Sequence, residues 1–200
     1  MKKLTSRDIV LKPRKKTSHK GDNGTVLIIG GSEDYVGAPA LVGMSALAVL
    51  RSGADLVTVA APERVAWAIN SISPDLITKK IRCANFTPRE VPAVLDLASK
   101  ADVVEIGNGI AFTPGAKEFI RQFVLQYRRP MVIDAAALRV IRIGDVSGCV
   151  LLPHAMEFRD LLRNSGITEE ELQACLGSNV LVKKGHPVTK IVSKDKIVYS

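Results

Sequence analysis

The chain has 200 residues, 46% of them hydrophobic and 24% charged, with 28 Lys/Arg against 20 Asp/Glu. That size suits a single domain with a sizeable core. No apolar run reaches the roughly 18 residues of a membrane span and nothing reads as a signal peptide, so a cytoplasmic protein without a membrane partner is expected. The positive charge is local: residues 1–20 carry eight Lys/Arg against Asp8 alone. This stretch reads as a solvated basic arm, or as one that folds over a phosphate-bearing ligand or an acidic neighbouring subunit. No aromatic residue is interleaved to stack on bases, so nucleic acid is not the expected partner. Cys83, Cys149 and Cys175 are odd in number and fit no C-x-x-C spacing, so they read as buried thiols rather than metal ligands or disulfides.

In chain order, Thr25–Ile29 is a short apolar run and predicts a buried strand. Ala38–Ser52 predicts a helix stopped by Gly53, and Leu56–Ala60 a strand with Pro62 at the next helix start. Pro88–Lys100 predicts a helix and Val103–Ile106 a strand. Thr113-Pro114 caps a helix running to about Tyr127, with proline in its first turn. Met131–Ile133 and Cys149–Leu152 predict strands, and Thr168-x-x-Glu171 is a capping box before a short helix. Asn179–Lys183, Thr189–Val192 and Lys196–Tyr199 form a strand-rich end. Alternation of this kind predicts an α/β fold with a mostly parallel central sheet and helices on both faces.

In such sheets the ligand crevice lies at the carboxyl ends of the strands. Those ends carry Gly30-Gly31-Ser32, Gly107-Asn108-Gly109, Asp134, and His154 with Glu157. Gly30-Gly31-Ser32-x4-Gly37 is not a P-loop, because no Lys-Ser/Thr follows to hold phosphate and magnesium. It is not a G-x-G-x-x-G dinucleotide turn either, and no acid follows at ribose-binding distance. What remains is a wide loop opening a helix on the small residues Gly37-Ala38-Pro39-Ala40. Its free amides suit an anion or a polar carbonyl. Equally, small residues pack a helix against a sheet, which is the role read for Ala46 and Ala48. His154 can hydrogen-bond a ligand or be a satisfied structural histidine. Glu157 can serve the helix dipole, and Lys183-Lys184 can be a solvated strand end or a cation beside a diphosphate.

The segments HKG…G, GGS…GA, R-S-G-A-x-L-V-T-V, G-x-G, D-A-x-A-L, P-H-x-x-E-F and K-G, taken in this order and spacing, resemble the ADP-dependent NAD(P)H-hydrate dehydratases. The resemblance runs from about Arg14 to the last residue, and Arg51-Ser52-Gly53-Ala54 belongs to its most specific stretch. It implies a ribokinase-like three-layer α/β/α fold over residues 21–200 and repair of hydrated NADH or NADPH. ADP phosphorylates the hydroxyl of the hydrated ring, phosphate leaves, and Mg2+ assists at the nucleotide phosphates. It also implies a homo-oligomer, usually a tetramer. Ala38, Gly109 and His154 fall on substrate-contacting positions, and Lys184, Gly185, His186, Pro187 and Val188 on the turn lining the ADP site. Asp134 is implied near the phosphates or their metal.

The chain departs from the family's pattern at several points. Asn108 replaces the proline of G-P-G, Leu152 a threonine, Ala155-Met156 a proline-glycine pair, and Ala136 an aspartate. Glu105 places a charge in a strand expected to be buried. The resemblance puts the family's base in a G-T-G-D segment beyond Ser200, so no catalytic residue is assigned within the 200 residues. Low turnover is expected, since a general base contributes about 10²–10⁴ in rate. The alternative readings of the sequence are a non-catalytic nucleotide-binding homologue and a ribokinase-like small-molecule kinase.

Overall fold

A computed structural model describes residues 16–199, so most of the basic arm predicted over residues 1–20 lies outside the described residues. The described residues form one nine-stranded sheet. Its strands are β1 (Thr25–Ile29), β2 (Leu56–Pro62), β3 (Ile77–Ile81), β4 (Val103–Ile106), β5 (Met131–Ile133), β6 (Val150–Leu151), β7 (Val180–Lys183), β8 (Lys190–Ser193) and β9 (Lys196–Tyr199). The order is β3-β2-β1-β4-β5-β6-β7-β8-β9, parallel from β3 through β7 and antiparallel from β7 to β9. The chain runs outward from β1 in one direction to β3, then returns to β1's other side to lay down β4. The switch point of this doubly wound sheet is therefore between β1 and β4, where a crevice opens at the strands' carboxyl ends.

Seven helices connect the strands: α1 (Gly37–Arg51), α2 (Glu63–Ile72), α3 (Val91–Ser99), α4 (Pro114–Gln126), α5 (Ala135–Leu138), α6 (Ala155–Ser165) and α7 (Leu172–Cys175), all among the described residues. Strand alternation divides the core in two. Leu27 and Ile29 join the larger cluster under α3 to α7, built around the stacked rings of Phe86, Phe119 and Phe123. Ile28, Val57 and Val59 point the other way, into a smaller cluster with α1 and α2. On that second face Val103, Val132, Val150 and Val182 are only partly buried.

The local signals act as expected at most ends. Thr113 Oγ1 accepts the Ala116 amide at 3.3 Å, and Pro114 follows in the first turn of α4. Thr168 and Glu171 form their reciprocal bonds just before α7. Arg51-Ser52-Gly53-Ala54 is the end of α1 and its reversal: the Ala54 amide donates to Val49 O at 3.2 Å, and the Asp55 amide to Gly24 O at 2.8 Å. Asp55 Oδ2 in turn accepts the Gly21 and Asn23 amides at 2.8 and 3.0 Å. This part of the resemblance's most specific stretch thus closes the amino-terminal end of the sheet, opposite the crevice.

Four expectations need correction. β3 was not expected, because Lys79 and Lys80 interrupt its apolar pattern. It is an edge strand, where lysines are favoured, and Lys80 Nζ is absorbed by Asn70 Oδ1 at 2.8 Å and the Trp67 ring at 4.2 Å. The helix predicted over Pro88–Lys100 is a 3-10 turn at Pro88–Glu90 followed by α3, since Pro92 would follow poorly in a longer α-helix interior. Ala48 is exposed rather than packed on the sheet; Pro39, Ala40 and Gly43 are the buried residues of α1. Of the three free cysteines, Cys149 is buried, Cys83 partly so, and Cys175 exposed, because Leu172 and Leu176 take the inward positions around α7.

Candidate active site

The loops after β1, β4, β5, β6 and β7 are stitched to one another by backbone hydrogen bonds. Gly31 N donates to Asn108 O at 2.9 Å, Asp134 N to Ile106 O at 3.2 Å, and Lys184 N to Pro153 O at 2.8 Å. The packing here leaves no room for larger residues. A Cβ on Gly107 (φ +128°) would lie 1.9 Å from Asp134 O, and one on Gly109 (φ +74°) would lie 2.9 Å from Tyr35 O and 3.2 Å from the Ala38 Cβ. Both glycines therefore answer to a backbone conformation and to a close approach. Ala135, also at the crevice, holds φ +49°, a sparsely populated region for a residue with a Cβ.

A cavity of about 390 Å³ opens over these turns, and Ala38, Gly109 and His154 all line it. The three substrate positions implied by resemblance thus meet in one place, drawn from α1, the turn after β4, and the loop after β6. α1 enters beside the crevice without a side-chain cap, and the first amides of a helix have no intrahelical partner. His154 is the N-cap of α6 and both its ring nitrogens are engaged. Nδ1 accepts the Met156 amide at 3.0 Å, and Nε2 lies 3.0 Å from Glu157 Oε1. Glu157 Oε2 accepts the His154 amide at 2.9 Å, completing a capping box. His154 thus caps its own helix and also lines the cavity, with a half-exposed imidazole.

Lys184 and Asp134, from two separate motifs, are joined. Lys184 Nζ donates to Asp134 Oδ1 at 2.8 Å, and the same oxygen accepts the Ala135 amide at 2.8 Å. This pair adjoins the cavity through Ala135, which lines it. Gly185, His186, Pro187 and Val188 do not line that cavity. They form the exposed loop between β7 and β8, with a cis His186–Pro187 peptide. Lys183, rather than being merely solvated, pairs with Glu169 at 3.2 Å and lies 4.1 Å over the Phe158 ring.

Glu105 sits beneath the floor. Its register partners are Ile28 and Val132, and only 7% of the residue is exposed. Its Oε1 accepts a short hydrogen bond from the Asn108 side chain, while Oε2 has no partner among the described residues. Burial pushes this carboxyl up to about 8, with the Asn108 bond working against the rise and the Asp134 charge adding to it. Three lining residues, Phe112, Arg139 and Met156, carried no readable signal: an isolated aromatic, an arginine just past D-A-A-A-L, and a methionine standing where the family has glycine.

A doubly wound sheet with this crevice at its switch point defines a ribokinase-like three-layer α/β/α protein. The chain belongs to the NAD(P)H-hydrate dehydratase family, whose model matches residues 26–199. It is 39% identical over 186 residues to a bifunctional NAD(P)H-hydrate repair enzyme of Pyrobaculum aerophilum, covering 88% of this chain and 36% of that protein. It is 34% identical over 181 residues to an ADP-dependent (S)-NAD(P)H-hydrate dehydratase of Cenarchaeum symbiosum, covering 86% of this chain and 60% of that one. The chain thus spans about a third of the length of the bifunctional relative. Among solved structures, a hypothetical protein of Streptococcus mutans superposes with a TM-score of 0.72 at 29% identity, covering 94% of this chain and 69% of that one.

Proposed function

We propose that this chain carries out the ADP-dependent dehydration of hydrated NADH or NADPH, with residues 21–200 as the dehydratase domain and residues 1–20 as a basic arm. The observation that carries the reading is the meeting of Ala38, Gly109 and His154 in one cavity, with the Lys184–Asp134 pair at its side. The first three suit the hydrated nicotinamide, whose ring can approach the backbone closely across the glycine and alanine. Lys184 places a cation where the donor's phosphates would lie, and its hydrogen bond to Asp134 orients the ammonium.

The residues fit a Mg2+ carried in by the nucleotide rather than one caged by protein. Among the described residues no group of three or more His, Cys, Asp or Glu is placed to hold a metal. Asp134 offers one carboxylate, and its Oδ1 is the oxygen already bonded to Lys184. Mg2+ commonly takes one or two carboxylates together with substrate phosphates. When bound there it would neutralise charge on the transferring phosphoryl group.

The reading further places the protein in the cytoplasm as a homo-oligomer, a tetramer by family. Leu41, Met44 and Val49, exposed at helical spacing on α1, support an association surface. Sedimentation of the purified chain tests the oligomer. The activity is tested by incubating the chain with NADPH hydrate, ADP and Mg2+ and following the return of the reduced-nicotinamide absorbance. No recovery, combined with no thermal stabilisation by either ligand, would sink the proposal.

A further inference from the structure

Two cations share the ring of Phe112 at the cavity wall. Lys117 Nζ lies 3.9 Å from the ring centroid, and so does Arg139 Cζ. Each is attracted to the face of the ring. A purely structural arrangement would meet them with carboxylates. Among the described residues Arg139 is met by Asp160, which is divided: Oδ2 takes Arg139 Nε at 2.9 Å, and Oδ1 takes Arg163 at 2.7 Å. Lys117 has no ion-pair partner among the described residues, and the Nη nitrogens of Arg139 have no hydrogen-bond partner there. Phe112 and Arg139 both line the cavity that Ala38, Gly109 and His154 line. The wall therefore presents the free guanidinium donors of Arg139 to the pocket, with Lys117, which does not line it, held against the same ring.

The geometry points to a phosphate subsite made by Lys117, Arg139 and Phe112, which takes the diphosphate arm of a dinucleotide whose nicotinamide end occupies the cavity. The inference rests on the hydrated-cofactor reading above and assigns that substrate's phosphates a cation set separate from Lys184. An arginine fork meets phosphate oxygens with two parallel hydrogen bonds, and the lysine adds a point charge. Phe112 holds each cation against its ring without consuming the charge. Binding at this subsite is expected to distinguish a dinucleotide from the phosphate-free nicotinamide riboside, and to weaken as salt rises.

The test is a binding titration of the wild-type chain, Lys117→Met and Arg139→Gln with four probes: NADPH hydrate, NADPH, reduced nicotinamide riboside and ADP. Methionine keeps the apolar stem of Lys117 on the ring, and melting curves establish that each variant is folded. Each variant should bind both dinucleotides roughly tenfold more weakly, the loss of one charged hydrogen bond. Affinity for the riboside and for ADP should hold, and the salt dependence of dinucleotide binding should flatten. Folded variants that bind the dinucleotides as the wild type does would overturn the subsite and leave the hydrated-cofactor reading standing. An equal loss for the riboside would also overturn it, because the effect would not be read through phosphate. A wild type that binds ADP but none of the nicotinamide probes would overturn the reading itself, and the subsite with it.

Discussion

Asn108 donates its side-chain amide to Glu105, tying the turn that floors the cavity to the strand beneath it. Each residue alone departs from the family's pattern, a proline lost from the turn and a carboxyl gained in the strand. Together they form one unit. A proline stiffens its turn through its ring. Here a hydrogen bond donated by the middle residue of Gly107-Asn108-Gly109 does so, accepted by a carboxyl that burial keeps protonated over the neutral range.

That protonation makes a pH signature. The carboxyl ordinarily titrates near 4.5 and is pushed up to about 8 in the fold. Below the lower value both folded and unfolded chains hold the proton. Between the two values the unfolded chain releases it and the folded chain keeps it, so this group's contribution to stability falls as pH rises, levelling off above about 8. Glu105→Gln preserves the acceptor for Asn108 and cannot titrate. Urea melts of both proteins across this range should show the wild type losing stability relative to the variant. Parallel profiles would mean that Glu105 is not a buried neutral acid.

The same pair should be strongly non-additive. Glu105→Leu leaves the Asn108 amide without its acceptor and should destabilise by about 1–3 kcal/mol. Asn108→Pro leaves the carboxyl buried with neither oxygen satisfied and should cost a similar amount. The double variant removes both polar groups and restores a family-like turn, so its loss should be well below the sum of the two, as expected for residues in contact. Additive losses in denaturant melts would show the two residues to be independent.

The sheet was legible because its strands are short, rich in β-branched residues and alternate with helices bounded by glycine and proline, and five of the crevice loops begin directly where those strands stop. β3 was not legible, since its lysines mask the alternation and only the edge position explains them. The site was legible where chemistry is written into backbone turns, as at Gly109, or into an uncommon residue, as at His154. It was not legible where long side chains converge from separate helices. Nothing in the spacing of Phe112, Lys117 and Arg139 announces that α4 and α5 bring them onto one ring. The short-range role of His154, closing its own helix with Glu157, was hidden for the opposite reason: S/T/D/N cap signals do not include histidine.

Gly107 is the least replaceable residue of the floor. Gly107→Ala would drive a methyl group to 1.9 Å from Asp134 O and 3.0 Å from the Ala137 Cβ, at a φ of +128° that suits glycine alone. Relief requires moving the β5–α5 junction that carries Asp134, and with it Lys184. A loss of roughly 3 kcal/mol or more is expected, a fall in Tm of several degrees for a chain of this size, together with loss of ligand-induced stabilisation. Gly109→Ala, which meets atoms at 2.9–3.2 Å, should be milder in melting and still impair dinucleotide binding. A Gly107→Ala protein with wild-type Tm would contradict the packing described at this turn.

His154 allows its two roles to be separated. As an N-cap its Nδ1 accepts the Met156 amide at 3.0 Å, a task that asparagine performs well and alanine does not. His154→Ala should therefore lose about 1 kcal/mol of stability, whereas His154→Asn should stay within a few tenths of the wild type. Asparagine is shorter than imidazole and cannot carry a donor to where Nε2 lies beside Glu157, at the cavity wall. If the imidazole serves the ligand, both variants should lose stabilisation by NADPH hydrate to a similar degree, although only the alanine variant melts early. Paired melts with and without that ligand resolve the two effects. An asparagine variant stabilised as fully as the wild type would assign His154 to capping alone, and would leave Ala38 and Gly109 as the remaining substrate contacts of the original three.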